Sequence, residues 1–315
     1  MMKNALRRMA ALFCAAVLAA CAPASPASTP ERERVSFADD LGREVSVLCR
    51  PKRTAALIGS FADVWLLAGG ELAAAANDAW TEFGLSPDGG VVNLGKTTEI
   101  SLERLLAADP DFILASVNTQ IDLELRETFE AAGIPTAYFD VNVFDEYLRM
   151  LEICTRITGR ADLYETNGLE VQRQVGEALA RGMPPGEGPE VLYLRATAKS
   201  VKAKGSEGNV LGEMLRDLGC VNIADSDQTL LDSLSLEAII ERDPEMIFVV
   251  KQGNNSAAVD ENLDELVFGN KAWSTLTAVR EGRVYEMEPR LYNLKPNNRW
   301  GEAYEMLCDI LYGNR

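Results

Sequence analysis

No histidine occurs among the 315 residues of this chain, and that absence decides most of what its side chains can do. Ser/His/Asp and Cys/His nucleophilic catalysis, histidine-containing zinc sites and the usual proximal haem ligand are all removed. Thiols, carboxylates and cations remain. Cys14 and Cys21 fall in the N-terminal segment, while Cys49, Cys154, Cys220 and Cys308 are widely separated, with no C-x-x-C spacing for a redox pair or a zinc site. Disulfide pairing of those four and buried free thiols are equal alternatives. Carboxylates are plentiful, 48 Asp+Glu against 31 Lys+Arg. No spacing selects two of them for general acid and base work, and abundant carboxylates ordinarily form a solvated surface.

The cations are more informative. The residues that follow apolar, strand-like runs are Ser60, Phe61, Trp80, Lys96, Asn118 and Asn142 in the first half, and Arg195, Lys251, Arg290, Tyr292, Lys295, Asn297 and Arg299 in the second. Gathered in one cleft they would form a cationic and aromatic lining. Arg and Lys at low dielectric favour an anion, and Trp80, Tyr292 and Trp300 offer flat apolar faces to an aromatic or macrocyclic ligand. The plainer alternative makes Lys251 and Lys295 solvated loop lysines and Trp300 part of the core of the last helix. Trp65 and Trp273 read as core. With a net charge of -17 and a pI near 4.6, any local cluster of cations stands out. The same charge repels phosphate backbones, so nucleic acid is not an expected partner.

These residues need elements to position them. The apolar run over 54–58 predicts a strand, followed by a Gly59-Ser60 break, a helix through FADVWLLAGG and a second short strand over 72–76. Ser101 can N-cap a helix that Pro110 ends, before a buried strand over 112–115. A helix over 123–132, Gly133 and the strand TAYF complete this half. From 144 to about 181 the pattern is helical and strand-free, broken near Gly159 and closed by Met183-Pro184-Pro185-Gly186. The strand VLYL, a helix over 210–218, a second Ser-capped helix at Ser235, the strands MIFVV and RVYEM and a final helix over 299–312 follow. Strands alternating with helices imply α/β architecture: two Rossmann-like lobes with mainly parallel sheets, joined by a long interlobe helix, with ligands at the carboxyl ends of the strands.

One segment occurs twice. ISLERLLAADPDFILAS over 100–116 matches LSLEAIIERDPEMIFVV over 234–250, with Ser, Leu, Glu, Asp and Pro in equivalent places. Two such copies predict a pseudo-symmetric pair of lobes with a cleft between them.

The N-terminus reads as an address. Lys3, Arg7 and Arg8 precede a short apolar run over 9–20, the layout of an export signal and too short to span a bilayer. The run ends in Leu18-Ala19-Ala20-Cys21, which resembles the lipobox of bacterial lipoproteins, where the cysteine becomes the lipidated first residue. A plain secretory signal cleaved near Ala20 is the alternative. The APASPASTPERER stretch that follows suits a flexible tether. The expected organisation is a signal over 1–20, a tether over 21–34, an N-terminal α/β lobe over 35–143, a helical connector over 144–186 and a C-terminal α/β lobe over 187–315.

In its ordered series LIGSFADVWLLAGG, LGKTTEISLERLLAADPDFILA, GIPTAYFD, DSLSLEAIIERDPEMIFVV and AWSTLTAVREGRVYEME, the chain resembles the substrate-binding lipoproteins of ABC importers for iron-siderophores, haem and cobalamin. The resemblance covers 35–312. It implies capture without catalysis, by lobes that shift only modestly, and delivery to an ABC permease with its ATPase. It also implies an exported monomer held by its lipid anchor to the outer face of the cytoplasmic membrane, at the cell surface or in the periplasm. In that family one surface glutamate on each lobe pairs with permease arginines, and Glu103 and Glu237 occupy equivalent places in the two repeat copies. The alternative is that both simply favour the helix N-terminal dipole. Metal-ion-binding relatives rely on histidines, so a pre-complexed ligand fits better than free Zn or Mn, and neither a resident metal nor a cofactor is expected. Among ligands a ferric siderophore ranks first, cobalamin or another corrinoid next, and haem last, with tyrosine its remaining ligand type. A ligand-sensing lipoprotein and an exported carboxylate-dependent enzyme are the rival classes.

Overall fold

The computed structural model describes residues 33–253 and 256–313. The signal segment, Cys21 and the tether as far as 32 lie outside the described residues, among which the strand Arg34–Ala38 is the first element. The apolar runs assemble into two separate sheets. In the first, the order is Val92–Asn93, Leu72–Ala75, Thr54–Ala56, Phe112–Ser116 and Thr136–Phe139, with every pairing parallel. In the second it is Val201–Lys204, Glu190–Ala196, Met246–Lys251 and Val284–Met287, with Val221–Asn222 beside the start of Glu190–Ala196. There only Val201–Lys204 runs antiparallel, at the edge. Parallel strands covered by helices on both faces must be apolar on both, which is why FILAS and MIFVV carry almost no polar residues.

The repeat is a structural one. Ser101 Oγ accepts from Arg104 N (3.4 Å) and Ser235 Oγ from Ala238 N (3.3 Å), capping the helices Leu102–Ala107 and Leu236–Arg242. Each copy then turns on an aspartate in the left-handed region, Asp109 at φ 47° and Asp243 at φ 42°. A residue before proline is driven out of the right-handed helical region, and aspartate tolerates the left-handed one. The strand that follows pairs with the first strand of its lobe in both copies, Thr54 with Phe112 and Val191 with Met246.

The connector has two limbs. Phe144–Thr158 packs on the helix Gly59–Leu67 and on Arg34–Ala38 of the first lobe. After Gly159 the chain resumes as Ala161–Tyr164, passes through a wider turn at Glu165–Leu169 and continues as Glu170–Leu179 along the terminal helix Trp300–Tyr312. A hairpin of Arg34–Ala38 with Glu44–Leu48, and the helix Ser256–Leu263, were not apparent in the sequence pattern. Cys154, Cys220 and Cys308 are buried and Cys49 half-buried, all four as free thiols. Trp65 and Trp273 are core residues, as expected.

The apolar interior has three parts. Leu57, Ile113 and Tyr138 lie in a cluster on one face of the first sheet, and Leu192, Ile247 and Val249 in a cluster on one face of the second. The other faces of both sheets, with Phe112, Phe139, Tyr193 and Phe248, share a single cluster with both connector limbs and the terminal helix.

Gly159 ends the first limb at φ 72°, and a Cβ there would sit 3.2 Å from Arg50 Nη2. Gly159→Ala is therefore expected to lower the unfolding free energy by about 1–2 kcal/mol. The measurement is the urea midpoint, which should fall at unchanged slope; an unmoved midpoint would show that position 159 does not require glycine.

Candidate functional site

Loops that follow parallel strands gather at one edge of a sheet, and in each lobe that edge carries the polar side chains. In the first lobe, Gly59 N donates to Asp78 Oδ2 (2.8 Å) at the start of the helix Gly59–Leu67. After Phe112–Ser116, Ser116 N donates to Asp122 Oδ2 (2.8 Å). The Asp122 side chain is fully buried, and burial pushes its carboxyl up to about 7 despite that hydrogen bond. After Thr136–Phe139, Asp140 Oδ1 accepts from Nδ2 of both Asn118 (2.6 Å) and Asn142 (2.5 Å). Asp140 N donates to Asp40 Oδ2 (2.7 Å), and Asp40 is itself paired with Arg149. Asn142 N and Val143 N donate to Glu146 Oε2, which fixes the start of the first connector limb.

The second lobe is sorted by strand parity, since successive side chains point to opposite faces. Arg195 lies opposite Lys202, and Tyr193 opposite Lys204, across the antiparallel edge pair. All four share the face whose apolar residues belong to the common cluster. Arg195 Nε and Nη2 donate to Tyr193 OH (3.3 and 3.1 Å). Like charges directly opposite are unfavourable, and Lys204 is held below the ordinary lysine range by burial, then by Arg195 and Lys202. Lys295 approaches from the loop after the last strand. Burial holds it below the ordinary range too, with Arg195 acting in the same direction and Asp140 and Glu146 against it. Among the described residues, Arg195, Lys202, Lys204 and Lys295 have no carboxylate ion-pair partner, unlike the other cations expected in the cleft except Lys96.

Lys251 is the main correction to the expected lining. It is in register with Ala196, so it points to the face opposite Arg195. There its Nζ is 2.6 Å from both Asp260 and Glu286, beside a cavity of about 430 Å³ that Leu263 and Phe268 also line. Arg299 is spent on Glu302 (2.7 and 2.8 Å). Phe61 and Tyr292 are placed in the core rather than on the cleft: Phe61 packs edge-on to Phe139, and Tyr292 OH donates to Ala303 O (2.9 Å). Trp300 is likewise buried, against Phe144 and Tyr304. Trp80 is half-buried at the edge of the common cluster, and Lys96 is exposed on a short ribbon of Gly95–Lys96 with Glu99–Ile100. Ser60 and Asn297 are buried and touch across the lobes, Asn297 Nδ2 donating to Ser60 O (2.9 Å). Arg290 pairs with Asp63 (3.1 Å). Glu103 and Glu237 are exposed in the first turns of the two repeat helices, neither ion-paired among the described residues. A helix that returns antiparallel to its strands starts at their carboxyl end, so both glutamates stand on the cleft side of their lobes.

Thus the fold brings together Asn118, Asn142, Arg195 and Lys295 and turns Lys251 away. Asp63, Asp140, Lys202 and Lys204 were missed. The alternation in VKAK was the available signal for the two lysines.

The sequence profile of the periplasmic binding proteins matches residues 55–291. The chain belongs to that family. A curated relative, the ABC transporter substrate-binding lipoprotein YvrC of Bacillus subtilis, is 23% identical over 99% of this chain and 98% of its own. Staphylococcus aureus SirA, solved with staphyloferrin B, superposes with a TM-score of 0.65 at 20% identity, over 88% of this chain and 97% of SirA. The catecholate-siderophore binding protein VctP of Vibrio cholerae superposes at 0.70 and 16% identity, over 88% and 99%. As a member of a family of ABC-importer solute-binding proteins, the chain works outside the cytoplasm. Among the described residues no helix is long and apolar enough to cross a membrane.

Asp122 makes the scaffold of this edge pH-sensitive. Its folded value, about 7, lies above the roughly 3.9 of an unfolded aspartate. The folded state therefore binds more protons between those values, so the contribution of this one carboxyl to stability is whole below about pH 4 and is lost as pH rises through 7. Asp122→Asn should flatten that decline in urea unfolding curves; an unchanged slope would show that the carboxyl ionises normally.

Proposed function

We propose that this protein captures an anionic metal complex of the ferric-siderophore class between its lobes and delivers it to an ABC permease, performing no chemistry of its own. The observation that carries the proposal is the group Arg195, Lys202, Lys204 and Lys295, clustered without carboxylate partners in a chain of net charge -17. Such a cluster is unfavourable when empty, and a multiply charged anion compensates it through charge-assisted hydrogen bonds. Asn118 and Asn142, bound to Asp140 on the opposite lobe, add neutral hydrogen-bonding groups at the rim. The siderophores named for SirA and VctP support this ligand class over a free metal ion. Trp80 is the aromatic face that remains partly accessible.

Three further parts complete the proposal. Cys21 carries the lipid that holds a monomer to the outer face of the cytoplasmic membrane, with the segment after it as tether. The lobes divide near 143 and 187, on either side of the connector. Glu103 and Glu237 are the contacts to arginines of the permease, because they are exposed, unpaired and pseudo-symmetric on the cleft side.

Quenching of tryptophan fluorescence, titrated with ferric citrate, a ferric catecholate, a neutral ferric trihydroxamate and cyanocobalamin, tests the ligand class. Arg195→Ala with Lys204→Ala is expected to weaken the anionic complexes by tenfold or more, about 1.4 kcal/mol, and to leave the neutral ones unchanged. Lys251→Ala should alter none of them. Equal losses for charged and neutral complexes, or no response to any, would refute the anion site.

Charge reversal at both Glu103 and Glu237 should abolish uptake in cells while the ligand affinity of the purified protein stays as it was. Uptake at the normal rate would remove the docking role.

A further inference from the structure

The chain between the last strand of the second sheet, Val284–Met287, and the terminal helix belongs by sequence to the second lobe. Its side chains nevertheless grip the first. Asp63, on the helix Gly59–Leu67, is the anchor. Its Oδ2 accepts from Asn297 Nδ2 (2.7 Å) and from Arg290 Nη2 (3.1 Å). Asn297 Nδ2 also donates to Ser60 O (2.9 Å), and the Arg290 guanidinium lies 4.2 Å over the ring of Phe83. These two anchors flank Lys295, and Arg290 reaches it directly, Nη1 donating to the Lys295 carbonyl (2.5 Å). Asn297 is fully buried at φ 56°, a conformation that asparagine tolerates better than most residues. The turn carrying Lys295 is thus fastened at both ends to the first lobe, and it places the ammonium within electrostatic reach of Asp140, Glu146 and Arg195.

We infer that Asp63, Arg290 and Asn297 are positioning residues for Lys295, fixing its turn to the first lobe so that an anion in the cleft is held between two second-lobe cations, Lys295 at the seam with the first lobe and Arg195 on the sheet. This rests on the anion-site proposal above. Arg290 is not the ligand cation: one face is covered by Phe83, and its two terminal nitrogens are taken by Asp63 and the Lys295 carbonyl. The task needs a fork. A lysine at 290 keeps the charge but cannot bond Asp63 and the Lys295 carbonyl in the same planar geometry.

The test follows the Lys295 ammonium by NMR titration of the full-length protein, with the signal assigned through Lys295→Arg, alongside ferric citrate binding. In the parent protein the Lys295 midpoint is expected below the ordinary lysine range, where burial and the Arg195 charge hold it. Arg290→Lys and Asp63→Asn, each confirmed as folded by circular dichroism, are expected to move the midpoint up toward that range and to weaken ferric citrate about tenfold. Removing the Asp63 charge alone would lower the midpoint, so a rise in Asp63→Asn reports release of the turn. An unmoved midpoint in both folded variants, or restored binding in Arg290→Lys, overturns the positioning role. Normal ferric citrate binding by Lys295→Met overturns the cleft's use of this cation instead, and the midpoint shift then decides the positioning separately.

Discussion

A carboxylate half-buried between two lobes depends on side-chain donors, because water reaches it only on one side, and for Asp63 those donors come from the far lobe. Burial raises its carboxyl, while Asn297 and Arg290 oppose that shift. Removing either donor leaves the half-buried carboxylate to the other alone, the kind of loss that costs more than the intact pair contributes. The contact therefore acts as a registration point between the two sheets. Everything at the cleft edge is placed relative to it: the helix Gly59–Leu67 that bears Asp63 begins beside Asp78, and the chain that bears Asn297 runs straight into the terminal helix.

The connector sets how far this arrangement can change. Its second limb lies along the terminal helix, and the first is packed on the N-terminal lobe, so a wide hinge opening would have to break helix packing rather than flex a loop. Small displacements suit a cleft whose attraction for its ligand is electrostatic. Coulomb forces act across several ångströms and do not demand that the walls collapse onto the ligand.

Much of the fold was legible in the sequence because its signals were redundant. The repeat carried a cap, a turn and a strand in each copy, and Ser101, Asp109, Ser235 and Asp243 perform the same tasks in both lobes. The site was legible only in part, for a geometric reason. Position after a strand tells that a residue is near the edge, but the face is decided by parity, and one residue reverses it. Arg195 and Lys251 both end apolar strands, yet register with Lys202 and Ala196 sends them to opposite sides. Val201–Lys204 escaped notice because a four-residue edge strand with two lysines has too little apolar content to announce itself. Tyr292 and Trp300 looked like cleft aromatics because composition does not reveal that the helix ending at Tyr292 and the one beginning at Trp300 turn them inward. Asp63 was invisible for the simplest reason: its partners lie more than two hundred residues away in the chain.

The common apolar cluster has a consequence for how the molecule comes apart. Val47, Phe112, Phe139, Leu151, Val171, Tyr193, Phe248 and Leu307 belong to one continuous interior that includes both sheets, both connector limbs and the last helix. Neither lobe owns a complete core, because the inner face of each is finished by residues from elsewhere in the chain. The two sheets, the connector and the last helix are therefore expected to unfold together through this shared interior, while each sheet keeps an outer cluster built only from its own half of the chain.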